Sequence, residues 1–212
     1  MNEHRAVRDR MLAEKVIKGL ESRNMEGFYA ETKEDALKVA LELIPEGSSI
    51  GWGGSVSVDA IGLRTAVCAG NYQVHNRDNC KTEDEKRQTE LAILGSDVFL
   101  CSTNAITEDG ILVNIDGRGN RAAAIIYGPV SVVMIVGMNK VVKTLEDAWS
   151  RARNEAAPIN AQRFPIQTPC KKTGSCADCK SPDTVCCQFV VTRYSKIPKR
   201  IKVILVNEDM GF

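Results

Sequence analysis

Residues 48–67, SSIGWGGSVSVDAIGLRTAV, decide the fold, because an apolar strand, a glycine-rich turn and a helix follow one another without a linker. The strand is SSIGW, and Ser55 or Ser57 is the predicted N-cap of the helix after Gly53 and Gly54. A strand that leads at once into a helix is half of a βαβ unit, in which helices cover a buried parallel sheet. The stretch therefore predicts an α/β protein.

The same alternation of helices and short apolar strands continues along the chain up to DVFLCS, residues 97–102. Asp109-Gly110, between two β-favouring runs, then indicates a hairpin. Pro158 is expected to interrupt or end the last long helix. The further predicted elements are strands over 121–128 and 131–137, a helix over 144–164 and a core strand over 200–207.

Composition indicates one globular domain in the cytoplasm. The 212 residues are 43% hydrophobic and 26% charged, and the formal net charge of +1 gives no reason to expect nucleic acid as a partner. The first 20 residues are too charged for a signal peptide. The longest apolar run, residues 130–137, is far short of the ~20 residues that span a bilayer, so no membrane span is expected.

Two loops are candidates for a ligand site. Asn104 and the polar residues before it follow an apolar strand, so they are expected at its carboxyl end, where open α/β sheets bind ligands. Arg121 offers a partner for a carboxylate or a phosphate. Purely structural turns are the alternative, and the glycine-rich turn favours neither reading. The predicted ligand-binding residues are Gly51, Gly53, Gly54, Ser55, Asn104, Asn114, Asp116, Gly119, Asn120 and Arg121.

Several ordered motifs together resemble the LUD, or lactate-utilisation, domain family over essentially the whole chain. They are GWGGSVSVDAIGL (51–63), NRD (76–78), STNAITEDGILVNIDGRGNRAAAIIYGP (102–129), VGMNKVV (136–142), RNEAAPINAQR (153–163) and TPCKKTGSCADC (168–179). The family is similar to glucosamine-6-phosphate isomerases, ribose-5-phosphate isomerases and CoA transferases. The resemblance implies a Rossmann-like three-layer α/β/α sandwich with a mostly parallel sheet, and a single LUD-type domain over residues 1–212.

The resemblance also bears on catalysis. In that superfamily an acidic residue near this loop performs acid/base or nucleophilic chemistry, and Glu108 and Asp109 occupy the comparable stretch TEDG. They are the candidate catalytic residues. Against that role, Asp109-Gly110 is also what a tight hairpin requires, and Glu108 is compatible with a solvated position.

Residues 168–188 form a cysteine-rich excursion before the last core strand. Cys170, Cys176, Cys179 and Cys186 give four thiolates in a compact loop, which suits zinc or an iron–sulfur cluster. The spacing matches neither a double zinc knuckle nor a ferredoxin, so metal identity stays open. Free thiols and disulfides are the alternatives. The resemblance implies that Cys186 and not Cys187 is the fourth ligand.

Three functional hypotheses follow. The first is a role, implied by the resemblance, in oxidising L-lactate or a related 2-hydroxyacid, with a small anionic metabolite and iron–sulfur redox proteins as partners. The second is a stand-alone isomerase or CoA-transferase-like enzyme for a phosphorylated sugar or an acyl-CoA. The third is a non-catalytic metal- or redox-sensing adaptor. The sequence leaves open whether the chain is an enzyme and whether it forms a homo-oligomer.

Overall fold

The computed structural model describes residues 3–212, whose strands form two sheets. The strands in chain order are β1 (Glu26–Ala30), β2 (Ser49–Trp52), β3 (Gln73–His75), β4 (Val98–Cys101), β5 (Ala105–Thr107), β6 (Leu112–Asp116), β7 (Ser131–Gly137), β8 (Val141–Val142), β9 (Gln188–Thr192) and β10 (Ile201–Val206). The helices are α1 (Glu3–Ser22), α2 (Lys33–Glu42), α3 (Val56–Ala60), α4 (Leu63–Ala69), α5 (Glu83–Leu94), α6 (Asn120–Ile126), α7 (Leu145–Arg151), α8 (Ala157–Ala161) and α9 (Pro169–Thr173).

The central sheet has the strand order β1-β10-β7-β4-β2-β3, and each neighbouring pair is parallel. Side chains of β7 alternate between its two faces, since successive residues of a strand point to opposite sides. Met134 joins a buried cluster with Leu20 of α1, whereas Ile135 joins a second cluster with Ala40 of α2. Two apolar cores on opposite faces of a parallel sheet confirm the predicted three-layer α/β sandwich.

A second, smaller sheet has the order β8-β5-β6-β9 and was not predicted as a separate layer. Strands β5 and β6 form the predicted hairpin, with Gly110 in a left-handed conformation at a φ of 86°. Val113 of β6 packs with Ala148 of α7 in a third buried cluster. The smaller sheet thus has its own core beside the central one.

The prediction of a strand over residues 121–128 was wrong, because this segment contains α6. The run of alanines favours a helix, while the following isoleucines and tyrosine suggested a strand. The helix buries Ala122, Ala124 and Ile125 but leaves Ile126 62% exposed. One apolar face is therefore buried at helical spacing, which the short segment did not reveal.

Pro158 does not end the long helix predicted over 144–164. Instead α7 continues through a π-helical segment, Ala152–Ala156, directly into α8. The amide of Ala157 donates to the carbonyl of Ala152, a spacing of five residues. The wider turn accommodates the proline, which lacks an amide hydrogen and would clash in a regular α-helix.

Residues 162–187, which include α9 and the cysteines, connect α8 to β9, and the chain then returns to the interior of the main sheet as β10. The predicted core strand over 200–207 is this β10, which pairs with β1 on one side and with β7 on the other. Across residues 3–212, none of the helices combines the length and apolar character that crossing a membrane requires.

Candidate functional site

A cleft of about 470 Å³ opens at the carboxyl ends of the central strands. Ser57 reaches it from the segment after β2, Ser102 follows β4, and Lys140 follows β7. Parallel strands β2, β4 and β7 end at the same edge of the sheet, so their following residues meet there. The turn between β6 and α6 and the C-terminal residue Phe212 complete the lining.

Lys140 is the most unusual group at this edge, since its side chain is buried and the residue is only 2% exposed. Its amine contacts Ser102 Oγ at 3.0 Å and Ser57 Oγ at 3.2 Å, and donates to the carbonyl of Thr103 at 3.3 Å. Burial, helped by the nearby charge of Arg151, lowers the pKa of Lys140 to about 7. The amine therefore changes its charge near neutral pH.

Arg121 supports the cleft from the first turn of α6. Its guanidinium donates to Asn104 Oδ1 and Asn114 Oδ1, each at 3.0 Å, and to the carbonyl of Ser102 at 3.1 Å. A Cβ atom on Gly53 would lie 3.2 Å from Arg121 Cδ, so the glycine leaves room for this side chain. Arg121 thus ties the loop after β4 to strand β6 through neutral oxygen acceptors.

Arg163 lies beyond α8, where it forms part of the cleft lining. It donates to Asn160 Oδ1 at 3.2 Å, and its guanidinium carbon lies 5.8 Å from the ring centroids of Phe164 and Phe212. Aromatic faces attract a cation and restrict its position. The arginine is therefore held at the cleft by a polar contact and two rings.

The cations of the cleft divide into paired and unpaired groups. Arg77 and Arg118 both contact Glu90 at 3.3 Å, and further carboxylates lie near them, Asp78 at 4.0 Å from Arg77 and Glu83 at 3.8 Å from Arg118. Lys86 also contacts Glu83, at 3.3 Å, so these three cations have carboxylate partners. Among the described residues, the cleft cations without a carboxylate partner are Arg121, Lys140 and Arg163. An anionic ligand would supply the charge that this second group lacks.

The structure brings part of the predicted ligand-binding set into the cleft. Gly51 instead packs against α5, where a Cβ atom would lie 2.4 Å from Ile93 Cγ1. A ligand-binding role for the whole set stays a prediction. The predicted residues that line the cleft are Gly54, Ser55, Asn104, Asp116, Asn120 and Arg121, and those outside the lining are Gly51, Gly53, Asn114 and Gly119.

Glu108 and Asp109, the predicted catalytic residues, lie at the tip of the β5–β6 hairpin and do not line the cleft. Glu108 forms an ion pair with Lys15 of α1, and Asp109 forms one with Arg23 of the turn that follows α1. The bond from Thr107 Oγ1, followed by Arg23, lowers the pKa of Asp109 below its ordinary value. These contacts give both residues a structural role, and their catalytic role stays a prediction.

The four predicted metal ligands line a second cavity, of about 60 Å³. Burial, followed by the proximity of Cys170, Cys176 and Cys179, raises the pKa of Cys186 to about 11. All the cysteines in the described residues are free thiols. No three Cys, His, Asp or Glu side chains between residues 3 and 212 are already arranged to hold a metal ion. The thiols are therefore clustered but not in coordinating geometry.

Sequence reasoning did not identify Lys140 or Arg163 as site residues. Lys140 stands in the short stretch MNK between two apolar strands, where a lysine is typical of an exposed turn. Arg163 follows a helix at whose end a cation is favourable for local electrostatic reasons. The only available signal was that both occur within the quoted motifs VGMNKVV and RNEAAPINAQR.

Fold and cleft together define a three-layer α/β protein with a cationic cleft at the carboxyl edge of a parallel sheet, the position where this class binds ligands. The chain belongs to the LUD domain family, since the family model matches residues 13–206. Comparison with curated proteins found no match.

One solved structure shares the fold. The structure of a DUF162 family protein from Deinococcus radiodurans matches with a TM-score of 0.54 and 13% sequence identity, and the match covers 94% of this chain and 98% of that chain. Ribose 5-phosphate isomerase A from Neisseria gonorrhoeae matches with a TM-score of 0.33 and 18% identity, over 53% of this chain and 54% of that one. At these identities the first likeness establishes the fold alone.

Proposed function

We propose that the cleft binds a small anionic 2-hydroxyacid or its 2-oxoacid, and that the protein takes part in oxidising L-lactate or a related acid. The observation that carries this proposal is the set of three cations without carboxylate partners, Arg121, Lys140 and Arg163. A ligand carboxylate would form charge-assisted hydrogen bonds with such groups. Burial would strengthen the bonds to Lys140 and to the half-buried Arg121, because their surroundings are less polar than water, whereas Arg163 is exposed.

The neighbouring polar groups suit the rest of such a ligand. Ser57 and Ser102 present hydroxyl groups beside the Lys140 amine, and Asn104 presents an amide at the same edge. Hydroxyls and amides both donate and accept hydrogen bonds, so they would bind either a 2-hydroxyl or a 2-oxo group. This arrangement supports a ligand that carries a carboxylate next to an oxygen substituent.

The proposed oxidation also requires an acceptor for the electrons that leave the 2-hydroxyacid. Separate iron–sulfur proteins are the proposed acceptors, as expected from the family. In this scheme the chain's own residues bind and orient the acid, while the redox partner takes up the electrons. Because this chain would bind the acid without taking up the electrons, binding by the isolated chain is the first property to measure.

The size of the cleft favours a second candidate function. A cleft of about 470 Å³ is in the range that holds ligands much larger than a three-carbon acid. A phosphorylated sugar or an acyl-CoA also carries the negative charge that the cleft cations require. A stand-alone isomerase or transferase activity is therefore the alternative.

Calorimetric titration of the purified chain with L-lactate, pyruvate, ribose 5-phosphate and acetyl-CoA tests these proposals. Wild type should bind L-lactate or pyruvate, and Lys140→Met should weaken the binding tenfold or more, since a charge-assisted hydrogen bond contributes about 1.5–3 kcal/mol. Lys143→Met is the matched control, because Lys143 is exposed and lies outside the cleft lining. Selective binding of ribose 5-phosphate or acetyl-CoA would favour the second function, and no binding of any of the four would overturn both.

The pH dependence of binding gives the same experiment a second readout. The charged form of Lys140 binds the acid, so affinity should fall as the pH rises through about 7. Arg151 and Arg121 also face the amine, and the charge of each lowers the pKa of Lys140, while burial raises the pKa of Cys101 to about 12. Affinity independent of pH between 6 and 8 would remove Lys140 from the site.

A further inference from the structure

The cysteine segment brings four thiols to one cavity from three short stretches of backbone. Cys170 lies on α9, Cys176 and Cys179 follow the end of that helix, and Cys186 precedes β9. Residues 174 and 178 adopt positive φ angles of 74° and 50°, which turn the chain back on itself. Cysteines up to sixteen residues apart in the sequence thereby line one cavity of about 60 Å³.

Neighbouring contacts fix this geometry from outside. Arg153, in the π-helical segment, donates to Asp178 Oδ1 at 2.7 Å and lies 4.0 Å from Cys176 Sγ. Thr168 Oγ1 is 3.3 Å from Cys170 Sγ, and the amide of Cys186 donates to Thr184 Oγ1 at 3.2 Å. Side chains on all sides of the cavity therefore orient the thiol-bearing residues.

We propose that this cavity is a thiolate metal centre for zinc or an iron–sulfur cluster, held by Cys170, Cys176, Cys179 and Cys186, and that the centre stabilises one wall of the cleft. Four sulfur ligands suit tetrahedral zinc as well as a cubane cluster. Each coordinating cysteine releases its proton to solvent and binds as a thiolate, so zinc needs no oxidant or reductant. A cluster would additionally require inorganic sulfide and iron supplied in both the ferrous and the ferric states that the cluster holds.

Because the thiols are not yet in coordinating geometry, the metal has to draw the side chains inward. The four thiols already line one small cavity, so side-chain rotations on a short loop are the movement required. A cation also removes the repulsion between adjacent thiolates. Metal binding to the folded chain, but not to the unfolded one, would add to stability.

The link to the cleft is made by Val185, which lines both cavities. A Cβ atom on Gly117 would lie 3.4 Å from the backbone of Val185, and the amide of Cys187 donates to the carbonyl of Asp116 at 2.8 Å. Ligation of Cys186 therefore holds its neighbour Val185 against the turn that lines the cleft. This part of the inference rests on the proposed anion-binding function.

Elemental analysis and acid-labile sulfide measurement on anaerobically purified protein test the centre. Wild type should carry close to stoichiometric zinc, or iron with sulfide, and Cys176→Ser and Cys186→Ser should each lose most of it. Cys187→Ser is the matched control, since this exposed thiol does not line the cavity and the metal content should be retained. Circular dichroism establishes that each variant is folded.

Two outcomes would overturn the metal centre. One is metal-free wild type that takes up neither zinc nor iron with sulfide on reconstitution. The other is equal metal content in wild type, Cys176→Ser and Cys186→Ser. Sulfide content separates a cluster from zinc. Neither measurement depends on anion binding, so the centre is tested even if the proposed function fails.

The proposal that the metal centre stabilises one wall of the cleft is tested by comparing L-lactate titrations of metal-loaded and chelator-treated wild type. Removal of the metal should weaken lactate binding several-fold, and hydrogen exchange should rise at residues 116–121. Unchanged affinity and exchange would overturn the role of the centre in the cleft. If wild type binds no L-lactate in either state, the proposed function has failed. The exchange measurement alone then tests whether the metal centre stabilises the cleft wall.

Discussion

Lys140 combines a cost in stability with the role in binding that we propose for it. Transfer of a charged amine from water into a buried site is unfavourable, which is why burial lowers its pKa from 10.5 to about 7. The folded chain keeps the residue because its amine contacts two serine hydroxyls and a carbonyl. A buried cation without a carboxylate partner is thus best explained by a ligand that supplies the negative charge.

Replacement of this amine should change stability in a pH-dependent way. Folding opposes protonation of Lys140, so the penalty is fully present below pH 7 and is relieved as the pH rises from about 7 towards 10.5. We expect Lys140→Met to raise the free energy of unfolding at pH 6, by an amount on the order of a few kcal/mol before the lost hydrogen bonds are subtracted. Urea unfolding at pH 6 and pH 9 measures the effect.

The gain from Lys140→Met should be smaller at pH 9 than at pH 6. Lys143→Met, at an exposed position, should show no such difference. A variant that is destabilised equally at both pH values would mean that the hydrogen bonds of Lys140 outweigh its desolvation, and that its charge carries no cost.

The residues that the sequence predicted for the cleft are of types that are common both in turns and in ligand-binding sites. Gly54 and Asn104 follow strand ends, so the position of the strands alone placed them at the correct edge. Lys140 and Arg163 escaped prediction because charge alone reveals neither the burial of Lys140 nor the position of Arg163 at the cleft. Their importance depends on which carboxylates lie nearby, and only the tertiary structure determines that.

At the scale of elements, the hairpin of the second sheet packs unusually close to α1. A Cβ atom on Gly19 would lie 2.4 Å from the carbonyl carbon of Asp109, and one on Gly110 would lie 2.6 Å from the amide nitrogen of Leu20. Arg23 of the following turn also binds the carbonyl of Asp109 at 2.6 Å. The backbones of the β5–β6 hairpin and of α1 are therefore in direct contact where the smaller sheet joins the helix layer.

Addition of a methyl group at this junction should destabilise the fold. Gly19→Ala and Gly110→Ala should each lower the free energy of unfolding by about 1–3 kcal/mol, because backbone atoms cannot move aside as a flexible side chain can. Gly110→Ala should be the more costly, since it also places a side chain at a φ of 86°. Thermal and urea unfolding measure both variants.

Gly95→Ala is the matched control for this pair, since its nearest contact would be an ordinary 3.6 Å. It should change stability little. If Gly19→Ala proved as stable as wild type, the helix and the hairpin would not be packed as closely as the structure has them.

Elements differed in how far the sequence determined them. The all-apolar β4 was predicted within DVFLCS because burial on both faces leaves a local signal. Helix α6 was not, since seven residues are too few for a helical period to show against β-favouring side chains. The second sheet was missed as a unit because its pairing of β6 with β9 joins segments more than seventy residues apart.

At the scale of the whole molecule, the two sheets depend on the cysteine segment to different degrees. The buried clusters on the central sheet contain no residue between 168 and 187. The third cluster, in contrast, has Cys186 packed against it, and β9 follows the segment directly. Loss of the proposed metal should therefore loosen the smaller sheet more than the central one.

Hydrogen exchange on chelator-treated protein should show this division. Amides of β9 and of residues 168–187 should exchange faster than in the metal-loaded protein, because their packing around Cys186 is weakened. Amides of β7 and β10 should stay protected, since these strands lie inside the parallel sheet with a paired strand on each side. Cys187→Ser, treated in the same way, should reproduce the wild-type pattern. Equal loss of protection in β10 and β9 would show that the molecule unfolds as one unit, and that the cysteine segment supports the central sheet as well.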